Sequence, residues 1–130
     1  MTATAPFDAA TDAQYVQLTT FRKDGTPVAT PLWAARDGDR LLMWTVADSW
    51  KVKRIRRNPT VIVQACDRSG KTVRGQAVTG TAAILDAAGT DHVRRLICRK
   101  YGIVGTIVVK ASSVRRGRTG TVGIAVTAAD

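Results

Sequence analysis

From residue 15 onward, short runs of apolar and β-branched residues are set off by turn residues, the rhythm of strands joined by tight connections. "YVQLTTF" (15–21) has the β-branched and aromatic bias of a first strand. The Asp24-Gly25 pair after it predicts a hairpin, because the turn needs a positive φ that glycine tolerates. "VATPLWAA" (28–35) is the returning strand, and Pro31 within it marks an edge, a bulge or a place where the sheet does not need that amide. "RDGD" (36–39) turns the chain again, and "RLLMWTV" (40–46) is apolar enough to be buried on both faces for part of its length.

Then the period lengthens. In "SWKVKRIRRNP" (49–59), Val52 and Ile55 lie three apart among five cations, which predicts a short amphipathic surface helix. Asp48 or Ser49 serves as its N-cap and Pro59 closes it. "TVIVQACD" (60–67) and "TVRGQAVTGTAAILD" (72–86) return to strand character, with Gly75 and Gly80 placed to bend the second around a barrel corner. "AGTDHVRRLICRKYG" (88–102) is a second helix, capped by Thr90 or Asp91, with Val93, Leu96, Ile97 and Tyr101 on its apolar face and Gly102 at its end. "IVGTIVVKASSV" (103–114) suits helix or strand, "RRGRTG" (115–120) is a basic loop, and "TVGIAVT" (121–127) is a last strand. This order predicts one domain over 1–130: a mainly β, antiparallel, Greek-key-like barrel with two or three short helices plugging its ends. Residues 1–13, polar and Ala/Thr-rich, are expected to form a poorly ordered tail.

Composition changes this picture in one respect. The chain of 130 residues, 45% hydrophobic, fits a single self-sufficient core. No basic start followed by an apolar run opens it and no window reaches the length of a membrane span, so the expectation is a cytoplasmic protein without a membrane partner. Cys66 and Cys98 are too few and scattered for a disulfide framework or zinc site and read as buried reduced thiols. The oddity is a net charge of +10, which implies an anionic partner or ligand. Aromatics at 5% leave few rings for stacking bases, which counts against nucleic acid.

The familiar catalytic signatures are missing: there is no nucleophile elbow, phosphate-binding glycine loop, dinucleotide fingerprint or metal-spaced His/Cys/carboxylate cluster. His92 reads as a solvent-facing helix residue, and Asp24, Asp37, Asp39, Asp48, Asp67 and Asp91 fall where turns and caps need them. No catalytic side chain and no metal ligand is therefore assigned. A redox-capable cofactor would have to bring the reactive group. The start of the basic helix is a natural seat for its phosphate, since unpaired amides and the positive dipole end combine there with lysines. Lys51 and Lys53 are two apart and cannot share a helix face, so only at that start can both converge on one ligand. A solvated basic helix explains the same residues equally well. The preceding strand tips the balance by delivering Trp44 and Thr45 just ahead of the helix, while Thr30, Leu32 and Trp33 pair alongside. Packing in a core or dimer interface accounts as well for Trp33, Trp44 and Trp50.

The run "LTTFRKDGTPVATPLWAARDGDRLLMWTVADSWKVKRIRRNPTVIVQACDRSGK", continuing through "GQAVTGTAAILD", resembles the pyridoxamine 5'-phosphate oxidase-like split β-barrel proteins. More narrowly it is similar to their actinobacterial branch that binds the deazaflavin coenzyme F420, over roughly residues 14–127. The resemblance implies an FMN-binding type of split β-barrel, homodimeric, with a flavin or deazaflavin in a groove at each end of the dimer interface. It implies Lys51 as principal phosphate ligand, supported by Ser49, Lys53 and Arg54 next to Trp50. Trp44 and Thr45 would contact ribityl chain and ring, Thr30, Pro31 and Leu32 would face the ring, and Gln76 would reach over from the partner subunit. Apart from the resemblance, the basic loop reads as solvated or as clasping an acidic polyglutamate tail on the deazaflavin through Arg115, Arg116 and Arg118, whose forked donors suit carboxylates.

Three functions follow. The first is an F420-dependent oxidoreductase that passes a hydride to a small conjugated organic acceptor. The second is an FMN-binding oxidase or reductase of the same fold. The third is a non-catalytic cofactor carrier or polyanion-binding barrel.

Overall fold

The computed structural model describes residues 7, 10, 13–116 and 120–128, without the side chains of 113–116. The described elements are β1 (Tyr15–Phe21), β2 (Pro27–Leu32), β3 (Ala34–Asp37), β4 (Arg40–Val46), α1 (Trp50–Arg57), β5 (Thr60–Cys66), β6 (Val73–Ile84), α2 (Ala87–Arg116) and β7 (Thr121–Ala128). The strands form one sheet in the order β2-β1-β5-β6-β7-β4-β3, with every pair antiparallel. β2 comes alongside β4, so the sheet curls on itself as a split barrel.

The first hairpin forms as its turn residues dictate. Gly25 takes φ 89°, Arg22 N–H donates to Thr26 O at 2.9 Å, and Asp24 Oδ1 accepts from Thr26 N–H at 2.9 Å. The return strand differs from expectation: 28–35 is broken at Trp33 into β2 and β3. Trp33 stacks on Tyr101 with centroids 4.3 Å apart, and Ala34 N–H donates to Tyr101 Oη at 3.2 Å, so a contact 67 residues away takes that amide from the ladder. Pro31 lies on β2, which pairs with β1 alone, and an edge strand can spare the missing donor.

The second helix also departs from its reading. It starts at Ala87, and Asp86 caps it by accepting from Gly89 N–H at 2.8 Å, so neither Thr90 nor Asp91 is the cap. Thr90 is buried, its Oγ1 accepting from Gly123 N–H at 3.0 Å. Gly102 ends the first helical segment, as expected. At φ 64°, ψ −138°, a conformation essentially reserved for glycine, it kinks the chain, which then resumes helix through Arg116. Residues 103–114 are thus helical and form a second segment beyond the kink within the 30 residues of α2.

Two cores result. Val16, Leu18, Leu41, Met43, Val61, Val63, Ile124 and Val126 fill the barrel, joined by Ile55 from α1 and by Phe7, Ala10 and Ala13. The rest of the segment expected as a tail, within 1–13, lies outside the described residues. On the outer side Ala35, Leu42 and Ala125 pack under Val93, Ile97 and Val109 of α2. β4 is therefore buried on both faces along its middle, as its apolar run requires. Each fully buried aliphatic side chain is worth about 1.5 to 3 kcal/mol relative to exposure.

Gly75 takes φ 70° at the irregular stretch of β6 opposite Gln64, and Gln64 Nε2 donates to its carbonyl at 2.9 Å. At Gly80 a Cβ would lie 2.7 Å from Thr127 O, so the two backbones approach there only because the side chain is missing. No helix among the described residues is long and apolar enough to cross a membrane.

Candidate anion-binding site

β4 runs out of the barrel at Thr45 and Val46, and three residues later α1 begins. Its apolar residues Val52 and Ile55 are buried against the barrel end, which turns the cations between them outward or along the rim. Ser49 occupies the N-cap with extended backbone (φ −78°, ψ 158°), but its side chain makes no capping bond. Its Oγ is buried and has no hydrogen-bond partner. A buried hydroxyl left in that state costs about 1 to 3 kcal/mol, which a ligand oxygen beside it would recover. The first turn holds no acidic residue to satisfy the helix dipole.

Lys51 is half-buried and makes no hydrogen bond or ion pair among the described residues. Burial pushes its ammonium below the usual lysine range, and the guanidinium of Arg54 pushes it further the same way. Arg54 is itself depressed, first by burial and then by Arg22 and Arg57. Two bonds tie this helix to the end of β1: Arg54 Nε donates to Thr20 Oγ1 at 2.7 Å, and Arg57 Nη2 donates to Phe21 O at 2.6 Å.

Between the β1–β2 hairpin and α1 opens a cavity of about 510 Å³ lined by Arg22, Lys23, Trp50, Lys53, Arg54 and Arg57. Among the described residues no carboxylate lines it. The described ion pairs lie elsewhere, joining Asp37 to Arg40 and Asp91 to Arg94, and His92 Nε2 is hydrogen-bonded to Asp37. Trp50 is 70% exposed, and Lys53 Nζ sits 4.6 Å from the centre of its indole. Like charges gathered without a counter-ion repel, and an anion in the groove would relieve that repulsion.

Sequence-predicted residues distribute unevenly around this groove. Trp50, Lys53 and Arg54 line it, while Ser49 and Lys51 sit at the helix start outside its lining. Thr45 is buried in phase with Leu41 and Met43, towards the barrel interior. Trp44 packs with Trp33 and Tyr101 on the α2 side, and its indole Nε1 is buried with no partner. Thr30 and Leu32 pair with the core residues Leu18 and Val16, and Leu32 packs against the barrel core. Pro31 pairs with Gln17 on the other face, under Gly70 of the β5–β6 turn. Gln76 is exposed on β6 in the irregular stretch opposite Gln64, with β5 and β1 between it and β2. Arg118 and the side chains of Arg115 and Arg116 lie outside the described residues. Sequence reading missed Arg22, Lys23 and Arg57 as one wall. The signal was present in the two cations just before the Asp-Gly turn, which the hairpin carries to the end of β1, where α1 docks.

The profile of the pyridoxamine 5'-phosphate oxidase family matches residues 7–129. The chain belongs to that family. Its members include oxidoreductases. No curated protein matches the chain significantly in sequence. Among solved structures, a conserved hypothetical protein of Mycobacterium tuberculosis is similar at 22% identity, over 91% of this chain and 74% of that one, with TM-score 0.70. An F420 reductase is similar at 20% identity, over 94% and 92%, with TM-score 0.62. An FAD-binding protein of Mesorhizobium loti is similar at 20% identity, over 92% and 82%, with TM-score 0.57. At such identities the likeness establishes the split-barrel fold of the family. In this family member the described residues include no cluster of three or more His, Cys, Asp or Glu side chains able to hold a metal ion.

Proposed function

We propose that this chain is an F420-dependent oxidoreductase of the family's actinobacterial, deazaflavin-binding branch, acting as a homodimer on a small conjugated organic acceptor. The observation that carries the reading is the carboxylate-free groove, where Arg22, Lys23, Lys53, Arg54 and Arg57 meet in about 510 Å³ beside the helix start. The fit to a phosphate rests on the buried Ser49 Oγ and on half-buried Lys51, neither of which has a partner among the described residues. Five further cations exceed what one phosphate neutralises. They suit a cofactor whose acidic tail continues past its phosphate, and FMN has no such tail. When bound, the deazaflavin supplies hydride transfer.

The chain's own residues then bind and orient. Ser49 and Lys51 hold the phosphate, Arg54 is fixed by Thr20 for a second contact, and Arg22, Lys23 and Arg57 take the tail. Thr30, Pro31, Leu32, Trp44 and Thr45 lie on the strands leading to the seat, and Gln76 reaches across from the partner subunit. With no side-chain acid in the lining, a proton required by the acceptor comes from water.

FMN is the second reading, favoured by the Ser49–Lys51 corner, which fits any phosphate monoester. Titrating purified protein with each cofactor while following tryptophan fluorescence separates the two, because Trp50 borders the groove. Tighter binding of F420 is expected, and Arg22→Ala with Arg57→Ala should weaken it about 10- to 100-fold while leaving FMN within about threefold. Equal affinity for both cofactors would remove the deazaflavin assignment, and tighter, salt-sensitive uptake of oligonucleotides would replace it with polyanion binding.

A further inference from the structure

Beyond the Gly102 kink, α2 shows two contrasting sides. Gly105 and Val109 turn inward: a Cβ on Gly105 would lie 2.7 Å from Tyr101 Cβ and 3.1 Å from Ile97 O, and Val109 is 6% exposed. Outward stand Ile103, Val104, Ile107 and Val108, at 81%, 63%, 61% and 41% exposure. Their spacing of one, three and four puts them in one stripe along a single helix face. Together they leave roughly 400 Å² of branched aliphatic surface in water, about the largest contiguous patch an ordinary monomer shows.

Charge selects the occupant. The chain carries +10, and α1 has five cations in its eight residues, yet residues 103–114 contain one charged residue, Lys110. Two copies of so basic a protein repel wherever basic faces meet, and this is a stretch along which they meet almost none. A helix lying on an anionic membrane carries a cationic polar face, which this stretch lacks. An acidic protein partner would be drawn to α1 instead. Turned about a twofold axis, the stripe covers its own copy. That pairing hides about 800 Å² in all, less than the usual 1,200 to 2,000 Å² of a stable interface, so it forms one part of a larger contact.

We propose that Ile103, Val104, Ile107 and Val108 form a helix-to-helix seam between two copies of this chain. The proposal rests on the two-chain reading above and identifies its contact. It is tested by analytical ultracentrifugation of the full chain against Ile103→Lys/Ile107→Lys, both exposed sites whose change should leave the fold intact, with circular dichroism as the check. Wild type should sediment as two chains, and the double variant should dissociate with a Kd raised about 100-fold. In wild type, amide exchange across 103–109 should slow with rising protein concentration, and the variant should lose that dependence. The gentler Val104→Thr/Val108→Thr pair should raise the Kd about tenfold and serves should the lysine variant unfold. A variant that stays as fully dimeric as wild type would refute the seam and leave the two-chain reading standing. A wild type that is monomeric throughout would refute both. Vesicles of phosphatidylserine that bind wild type and not the variant, with sedimentation unchanged, would make the stripe a membrane face and refute the seam.

Discussion

Replacing Lys51 by methionine should weaken cofactor binding and, in the free protein, raise stability. Methionine keeps the length and helix propensity of lysine and removes only the charge. Opposite unit charges about 4 Å apart at an effective dielectric of about 20 attract by about 4 kcal/mol. Against that, binding withdraws the ammonium and the phosphate further from water, which offsets about 1 to 2 kcal/mol. The net loss on substitution is about 2 to 3 kcal/mol, or about 30- to 150-fold in Kd. With no ligand present the burial of the ammonium and its repulsion by Arg54 act without compensation, so the substitution should stabilise the free protein by a few tenths of a kcal/mol up to about 1 kcal/mol.

The pH dependence follows from linkage. Because the folded pKa of Lys51 lies below its ordinary 10.5, the unfolded chain holds more protons between the two values, and stability rises with pH across that window. The variant should lose this rise. Binding in wild type should weaken as pH climbs and the ammonium discharges. Urea melts across pH measure the first effect and fluorescence titration the second. Affinity within twofold of wild type, or a free variant less stable by more than about 1 kcal/mol, would refute the reasoning, because either would mean Lys51 already has a partner inside the fold.

Two further outcomes test the frame that holds the site. Gly80→Ala should lower stability by about 2 to 3 kcal/mol in urea unfolding, because its Cβ would meet the backbone oxygen of Thr127 at 2.7 Å and Val126 Cγ1 at 2.8 Å. Tyr101, whose hydroxyl is pushed up to about 12 mainly by burial, stays protonated in the fold after the unfolded chain has released its proton, so stability should fall as pH rises from about 10 to about 12. In Tyr101→Phe that alkaline fall should shrink, and stability at neutral pH should drop by about 1 to 2 kcal/mol with loss of the bonds to Gln14 O and Ala34.

Much of the candidate site could be read along the chain. The cation-rich α1, its Ser49 N-cap and the separation of Lys51 from Lys53 all follow from a 3.6-residue period, and the structure places those two lysines differently, one half-buried and one over Trp50. The opposite wall was harder to see. Arg22 and Lys23 sit about thirty residues from α1, and their meeting with Arg57 depends on how β1 pairs with β5 and on where α1 docks. Neither is encoded in a local window.

Local rules determined the elements whose cause is local: the Asp24-Gly25 hairpin, the amphipathic α1, and β4 with both faces apolar. Tertiary contact decided the rest. Trp33 interrupts a plausible strand because Tyr101 takes its ring and the neighbouring amide, and residues 103–114 become helix because the Gly102 kink lets Gly105 and Val109 pack where a strand would have no partner. Propensity and period describe what a segment prefers alone, whereas the groove, the kink and the bare stripe exist only because distant segments compete for the same neighbours.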